Sequence, residues 1–196
     1  MLKFTFAAHA ATTPNSECFI HAFDALVNAR SGSSRLFVVV QGEQGELHIV
    51  ASFDAAAAMR RFAIECAEAV LPAFAKRFPN DKRPQFAIEA TKAALAAPTI
   101  KNLGAMLAAN LAANDAVRDA AECDMDSATE AAMSAAEAAA ACSSLDEVSC
   151  TASVGLAALE NTVDDVPLAL FFQRERFAGM VAAELTQQAV VSRKAA

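Results

Sequence analysis

RFPNDKRPQFAIEATKAAL, residues 77–95, joins a turn crowded with charge to a helix with scarcely a functional group, and its reading decides the fold. Pro79, Asn80 and Asp81 are turn formers, and Asn80 or Asp81 is placed to accept backbone N–H groups where the next helix starts. Arg83 precedes a proline and is steered away from helical backbone, so Pro84 is expected to be the first helical residue. A turn of this kind fixes the angle between two helices. Its charges then read chiefly as geometry: Lys76 and Arg77 complement the C-terminal dipole of the preceding helix, and Arg83 is expected to pair with an acid on a neighbouring one. Contact of Lys76, Arg77, Lys82 and Arg83 with phosphate is the lesser reading, because the group is small and the net charge of the chain is −7.

Working upstream, Asp54 is expected to cap a helix in which Met59, Phe62, Cys66, Val70, Phe74 and Phe78 recur at three- and four-residue spacing. Pro72 should kink it, and Phe78–Pro79 should end it. Downstream, the helix begun at the turn is expected to run to Ala97, where Pro98 stops it, and another to span Leu103 to Glu122. Ser127 to Glu130 and Ser144 to Glu147 both fit the S-x-x-E capping box, dividing the alanine tract into helices of roughly 128–142 and 145–161. DDVP at 164–167 introduces a last helix with an apolar face of Leu168, Phe171, Phe172, Met180, Val181 and Leu185. About six helices are expected after residue 54.

The first fifty residues have a different period. Leu2 to Phe6 alternates as a half-buried strand does, TTPNSE at 12–17 offers turn and cap chemistry for a short helix, and LFVVV and LHIVASF flank a Gly-containing loop. The expectation is an α+β chain, mostly α: a β-α-β-β unit over 1–53 followed by an alanine-rich bundle over 54–196.

The phrase Phe78, Pro79, Asn80, Asp81, Arg83, Pro84, Ala87, Ile88, Glu89 and Ala90, preceded by AEAVLPAFAK and followed by AAMSAAEAAAAC, resembles the immunity proteins of the fifth Imm type. The resemblance covers about residues 60–160. It implies an all-helical domain that neutralises a toxin by binding it, and it carries no catalytic residues with it. Residues 1–53 lie outside it.

Composition narrows the chemistry. Five cysteines without CxxC or Cys/His ligand spacing fit a reduced compartment, and the chain is expected to be cytoplasmic. The opening MLKFTFAAHAATTP suits a strand better than a signal peptide, and no long run of bulky apolar residues suggests a membrane span. Thirteen Phe with no Tyr or Trp make Phe the bulky packing unit and disfavour a base-stacking platform. Phosphate-loop and dinucleotide patterns are absent, and neither metal nor cofactor is expected. Cys18 and His21, three apart on the expected first helix, are the one candidate nucleophile–base pair or pair of metal ligands; no orienting group accompanies them at a telling spacing.

The acid is concentrated. Residues 115–165 hold twelve Asp and Glu against only Arg118. Asp115, Asp119, Glu122, Asp124, Asp126, Glu130, Glu137, Asp146 and Glu147 read either as a solubilising face or as a surface that steers a basic protein partner. The clustered acids between 115 and 126 lack the glycine and terminal glutamate of a calcium loop. The expected function is therefore a non-enzymatic, immunity-type inhibitor acting through its helical and acidic surface, without direct nucleic-acid or membrane binding. The alternatives are a phage or mobile-element antagonist of a nucleic-acid-binding defence complex, resembling an anti-CRISPR protein, and a small enzyme or ligand receptor using Cys18 and His21.

Overall fold

A computed structural model of the chain describes residues 5–7, 35–41, 47–143 and 175–184. Backbone pairing defines three strands, β1 (Thr5–Ala7), β2 (Arg35–Gln41) and β3 (Leu47–Asp54), in antiparallel order β1-β2-β3. Thr5 stands opposite Val39, Arg35 opposite Asp54, and the β2–β3 register shifts between Val38 and Val39. Then come α1 (Ala56–Arg77), α2 (Arg83–Ala96), α3 (Ile100–Ala121) and α4 (Ser127–Cys142), and a further helical stretch, α5, covers 175–184.

The expected fold class is corrected. The part of the chain whose packing is described is helical, 83% of it in 5 helices, and the side-chain packing of the expected N-terminal β unit lies outside the described residues. The helix of the β-α-β-β unit, the helix expected over 145–161 and the DDVP start at 164–167 lie outside the described residues. Five helices fall within the described residues, and the sixth of those expected, over 145–161, lies outside them.

α1 forms because its apolar residues return to one side with the helical period: Met59, Phe62, Val70 and Phe74 are buried as expected, while Cys66 and Phe78 are partly covered. It runs through Pro72 as one continuous element, with the ring on the exposed side. α4 is different. Ala132, Ala135, Ala136 and Ala139 are all 0% exposed, and Ala138, Ala140 and Cys142 are buried as well, so this helix is covered on nearly every side. A helix of small residues lets α1, α2 and α3 approach closely, and the bulk that alanine lacks comes from Phe62, Phe74, Met59 and Met106. Phe62 also meets Phe177 edge-on at 5.3 Å between ring centres, which seats α5 on α1.

Helix starts follow side-chain chemistry, with some shifts from the sequence reading. The Asp54 carboxylate accepts the Ala56 N–H at 2.9 Å, but the cap position of α1 itself falls on Ala55, one residue after the expected Asp54. α2 begins at Arg83, one residue before the expected Pro84, with Pro84 buried in its first turn. α3 begins at Ile100 rather than Leu103, because Thr99 Oγ1 accepts the Asn102 N–H and supplies a cap. α4 is capped not by Ser127 but by Asp126, which accepts the Thr129 N–H at 2.7 Å. The S-x-x-E spacing marked the right turn, but the carboxylate one residue earlier takes the N3 position's donor.

Candidate functional site

The turn between α1 and α2 is a charge clamp. Asp81 Oδ1 accepts the Arg83 N–H at 3.0 Å, and its carboxylate receives the Arg83 guanidinium at 3.0, 3.1 and 2.6 Å. The same guanidinium donates to Asp119 Oδ2 on α3 at 2.7 Å. Arg83 therefore ties the α1–α2 turn to the last turns of α3, which is the pairing with a neighbouring helix that the sequence led us to expect. The hydrogen bonds from Arg83 hold the Asp81 carboxyl below the usual carboxylate range, against a smaller opposing effect of burial. Pro79 and Asn80 are exposed, and Asn80 makes no cap among the described bonds; Asp81 does that work.

The acidic residues divide into paired and unpaired sets. Asp115 meets Arg118 at 2.5 Å within α3, Asp119 meets Arg83, and Asp126 lies 3.9 Å from Arg77 while capping α4. The Asp126 carboxyl is held low mainly by its hydrogen bonds from Thr129. Along the sequence these acids lie in a segment almost devoid of cations. In three dimensions Asp119 and Asp126 meet cations from the turn at 77–83, and Arg77 and Arg83 of its basic group are drawn into holding helix ends. Glu122, Asp124, Glu130 and Glu137 are exposed and make no ion pair with any described residue. Glu122 and Asp124 belong to the α3–α4 connection together with Met125, which is 57% exposed, and Glu130 and Glu137 stand two turns apart on α4. Asp146 and Glu147 lie outside the described residues.

Two recesses flank α1 and α2. One, of about 590 Å³, is walled by Arg61, Glu65, Glu68, Lys92 and Glu184 with Ile64 and Leu95 beneath. Its charges are matched: Arg61 pairs with Glu184, Lys92 with Glu68 at 2.5 Å, and Glu65 lies 2.5 Å from Arg176. The other, of about 260 Å³, is largely apolar, between Ala56, Ala94, Leu95, Leu103 and Met106, with Arg60 and Thr91 at its wall. Self-compensated charge leaves the first recess little to offer a charged ligand.

The sequence reading missed a polar knot at the C-terminus of α4. Arg60 Nη1, on α1, donates to the Cys142 carbonyl at 3.0 Å; Asn110 Nδ2, on α3, reaches the Ala140 carbonyl at 2.5 Å; Ser143 Oγ donates to the Ala139 and Ala140 carbonyls. These bonds satisfy carbonyls that a buried helix end would otherwise leave orphaned. Arg60 broke the apolar pattern of α1 at a buried position, and that was the available signal. Nearby, the Cys142 thiol is pushed up to about 12 by burial, and the Cys66 thiol on α1 likewise to about 12. Both are poor nucleophiles for that reason.

Cys18 and His21 lie outside the described residues. Among the described residues no group of three His, Cys, Asp or Glu side chains converges on a metal position, and no helix is long and apolar enough to cross a membrane. No protein-family model matches the chain, and no match is found among curated proteins or solved structures.

Proposed function

We propose that the chain is a non-catalytic binding protein that neutralises a protein partner by covering a basic surface on it, as an immunity-type inhibitor does. The observation that carries this reading is the division of the acids. Arg77, Arg83 and Arg118 engage Asp126, Asp119 and Asp115, while Glu122 and Asp124, in the same connection as an exposed Met125, and Glu130 and Glu137 on α4 remain exposed. A carboxylate that neither caps a helix nor pairs with a described residue is available to a partner. An apolar side chain among such carboxylates gives a contact both an electrostatic approach and a dehydrated centre. The rest of the described surface gives a catalytic reading less to work with: the Cys66 and Cys142 thiols are poorly ionised and the recess walled by Arg61 and Lys92 is self-neutralised.

The test is capture from a lysate of the native host on immobilised full-length chain, at low and at high salt. The reading expects a basic protein retained at low salt and released at high salt. It also expects loss of that protein with Glu122→Gln, Asp124→Asn and Glu130→Gln combined, and unchanged capture with Glu89→Gln on α2. Capture that ignores the triple substitution, or no capture at low salt, overturns it.

A further inference from the structure

The outer face of α3 has a pattern that the bundle does not use. Ile100, Leu107 and Leu111 are 92%, 41% and 67% exposed, whereas the inner face of the same helix buries Met106, Ala113, Ala116 and Ala120. Ile100, Gly104, Leu107, Leu111, Asn114 and Arg118 follow one another at spacings of four, three, four, three and four residues. That is the alternation of a coiled-coil seam, and here it faces away from the described core. At Gly104 nothing lies within 4 Å of the place where a Cβ would stand, so the middle of the seam is open to a closely approaching backbone. Three large aliphatic side chains in register on a solvated face are more than the scattered apolar residues of an ordinary surface.

We propose that this face of α3 is the interface of a homodimer in which two copies of α3 cross antiparallel about a two-fold axis. The charges flanking the seam select the second copy as occupant. Lys101 and Asp115 lie on the same side of it, fourteen residues apart and on either side of Ala108. Antiparallel pairing centred near Ala108 brings each Lys101 beside Asp115 of the other copy, twice by symmetry. Parallel pairing in register would leave the same charges about 21 Å apart along the helix. The core of the seam is self-complementary in the same arrangement. Leu107 packs against Leu111 of the other copy in two equivalent layers, Gly104 admits the Asn114 backbone, and Ile100 lies along the aliphatic stem of Arg118. Asp115, already 2.5 Å from Arg118 in its own chain, then sits between two cations. One pair of helices makes an interface at the small end of the specific range, so association in the micromolar range is expected. The inference does not rest on the inhibitor reading, and the face it uses is distinct from the α3–α4 connection.

Sedimentation velocity of the full chain in reducing buffer, over roughly a hundredfold range of micromolar concentration, is the test. A monomer–dimer equilibrium is expected. Leu111→Glu should weaken it at least about tenfold by placing a charge in the seam, with the thermal unfolding temperature unchanged at concentrations where the parent is monomeric because Leu111 is exposed. Lys101→Glu and Asp115→Lys should each weaken the dimer, and the two together should restore it. A monomer at every concentration overturns the proposal. So does a dimer indifferent to Leu111→Glu, or one that the double charge exchange fails to restore. Ala108→Cys gives a second readout under mild oxidation: a disulfide-linked dimer in excess of the unsubstituted chain is expected, and none contradicts the antiparallel register.

Discussion

Arg83 shows how much of this molecule turns on single side chains. It closes on Asp81 within its own turn and on Asp119 thirty-six residues away, so one guanidinium holds both a helix start and a helix–helix junction. Its environment is partly open to water, and such pairs are individually worth little; Arg83→Gln should cost about 1 kcal/mol, read from the urea midpoint. Asp81 makes the pH dependence explicit. Its folded-state carboxyl is held below the usual value, so the folded protein binds fewer protons there than the unfolded chain. That contribution is complete above the unfolded carboxylate pKa of about 3.9 and is lost as pH falls through the lower folded value. Unfolding of the parent protein and Asp81→Asn should therefore differ at pH near 6 and converge under acid. A second residue-scale expectation concerns Cys66 and Cys142, whose thiols stay protonated well above neutrality. Alkylation at mildly alkaline pH should spare the buried Cys142 until the protein is unfolded and reach the partly covered Cys66 only slowly, and rapid labelling of Cys142 in the folded state would contradict its burial. The Asp81 contact was legible in the sequence because it is local, a turn residue two positions before the helix. Asp119 was not, since nothing in the composition says which of many acids the fold will carry to Arg83.

At the scale of elements, periodicity located the helices and cap chemistry set their ends, but rival caps were decided by geometry. Ser127 and Asp126 are adjacent candidates; the extended backbone at Asp126 aims its carboxylate at the Thr129 N–H and leaves Ser127 inside the helix. Thr99 was obscured by Pro98, which was read only as a stop although the residue after it is free to open the next helix. The role of α4 as the enclosed helix was half visible. Its alanines promise close packing on any side, but the sequence does not reveal that Arg60 and Asn110 will arrive from two other helices to satisfy its last carbonyls. The seat of α5 rests on the Phe62–Phe177 contact. Phe62→Ala removes a fully buried ring shared by two helices and should destabilise the protein by about 3–5 kcal/mol. Hydrogen exchange should then rise first across 175–184, before it rises in α4.

For the whole molecule, the sequence divided charge correctly between segments and misjudged how that charge is distributed in space. The acid-rich stretch after residue 115 packs beside the basic turn at 77–83, so part of the apparent negative face is neutralised on folding. Among the described residues, what is left is Glu122 and Asp124 in the connection that carries an exposed Met125, with Glu130 and Glu137 on α4. The all-helical character of the described core also departs from the expected α+β class, because strand-like periodicity at the start of the chain says nothing of what the alanine helices pack against. They pack against one another. Two sets of charges follow, one that holds the scaffold and one proposed to meet a partner. The most direct test measures both properties in two variants, Arg83→Gln and the combined Glu122→Gln, Asp124→Asn, Glu130→Gln, by thermal unfolding and by affinity for the basic protein captured from the host. The account predicts that Arg83→Gln lowers the unfolding temperature and leaves affinity intact, while the triple variant unfolds as the parent does and binds at least about tenfold more weakly. Equal affinity of the triple variant and the parent would contradict it.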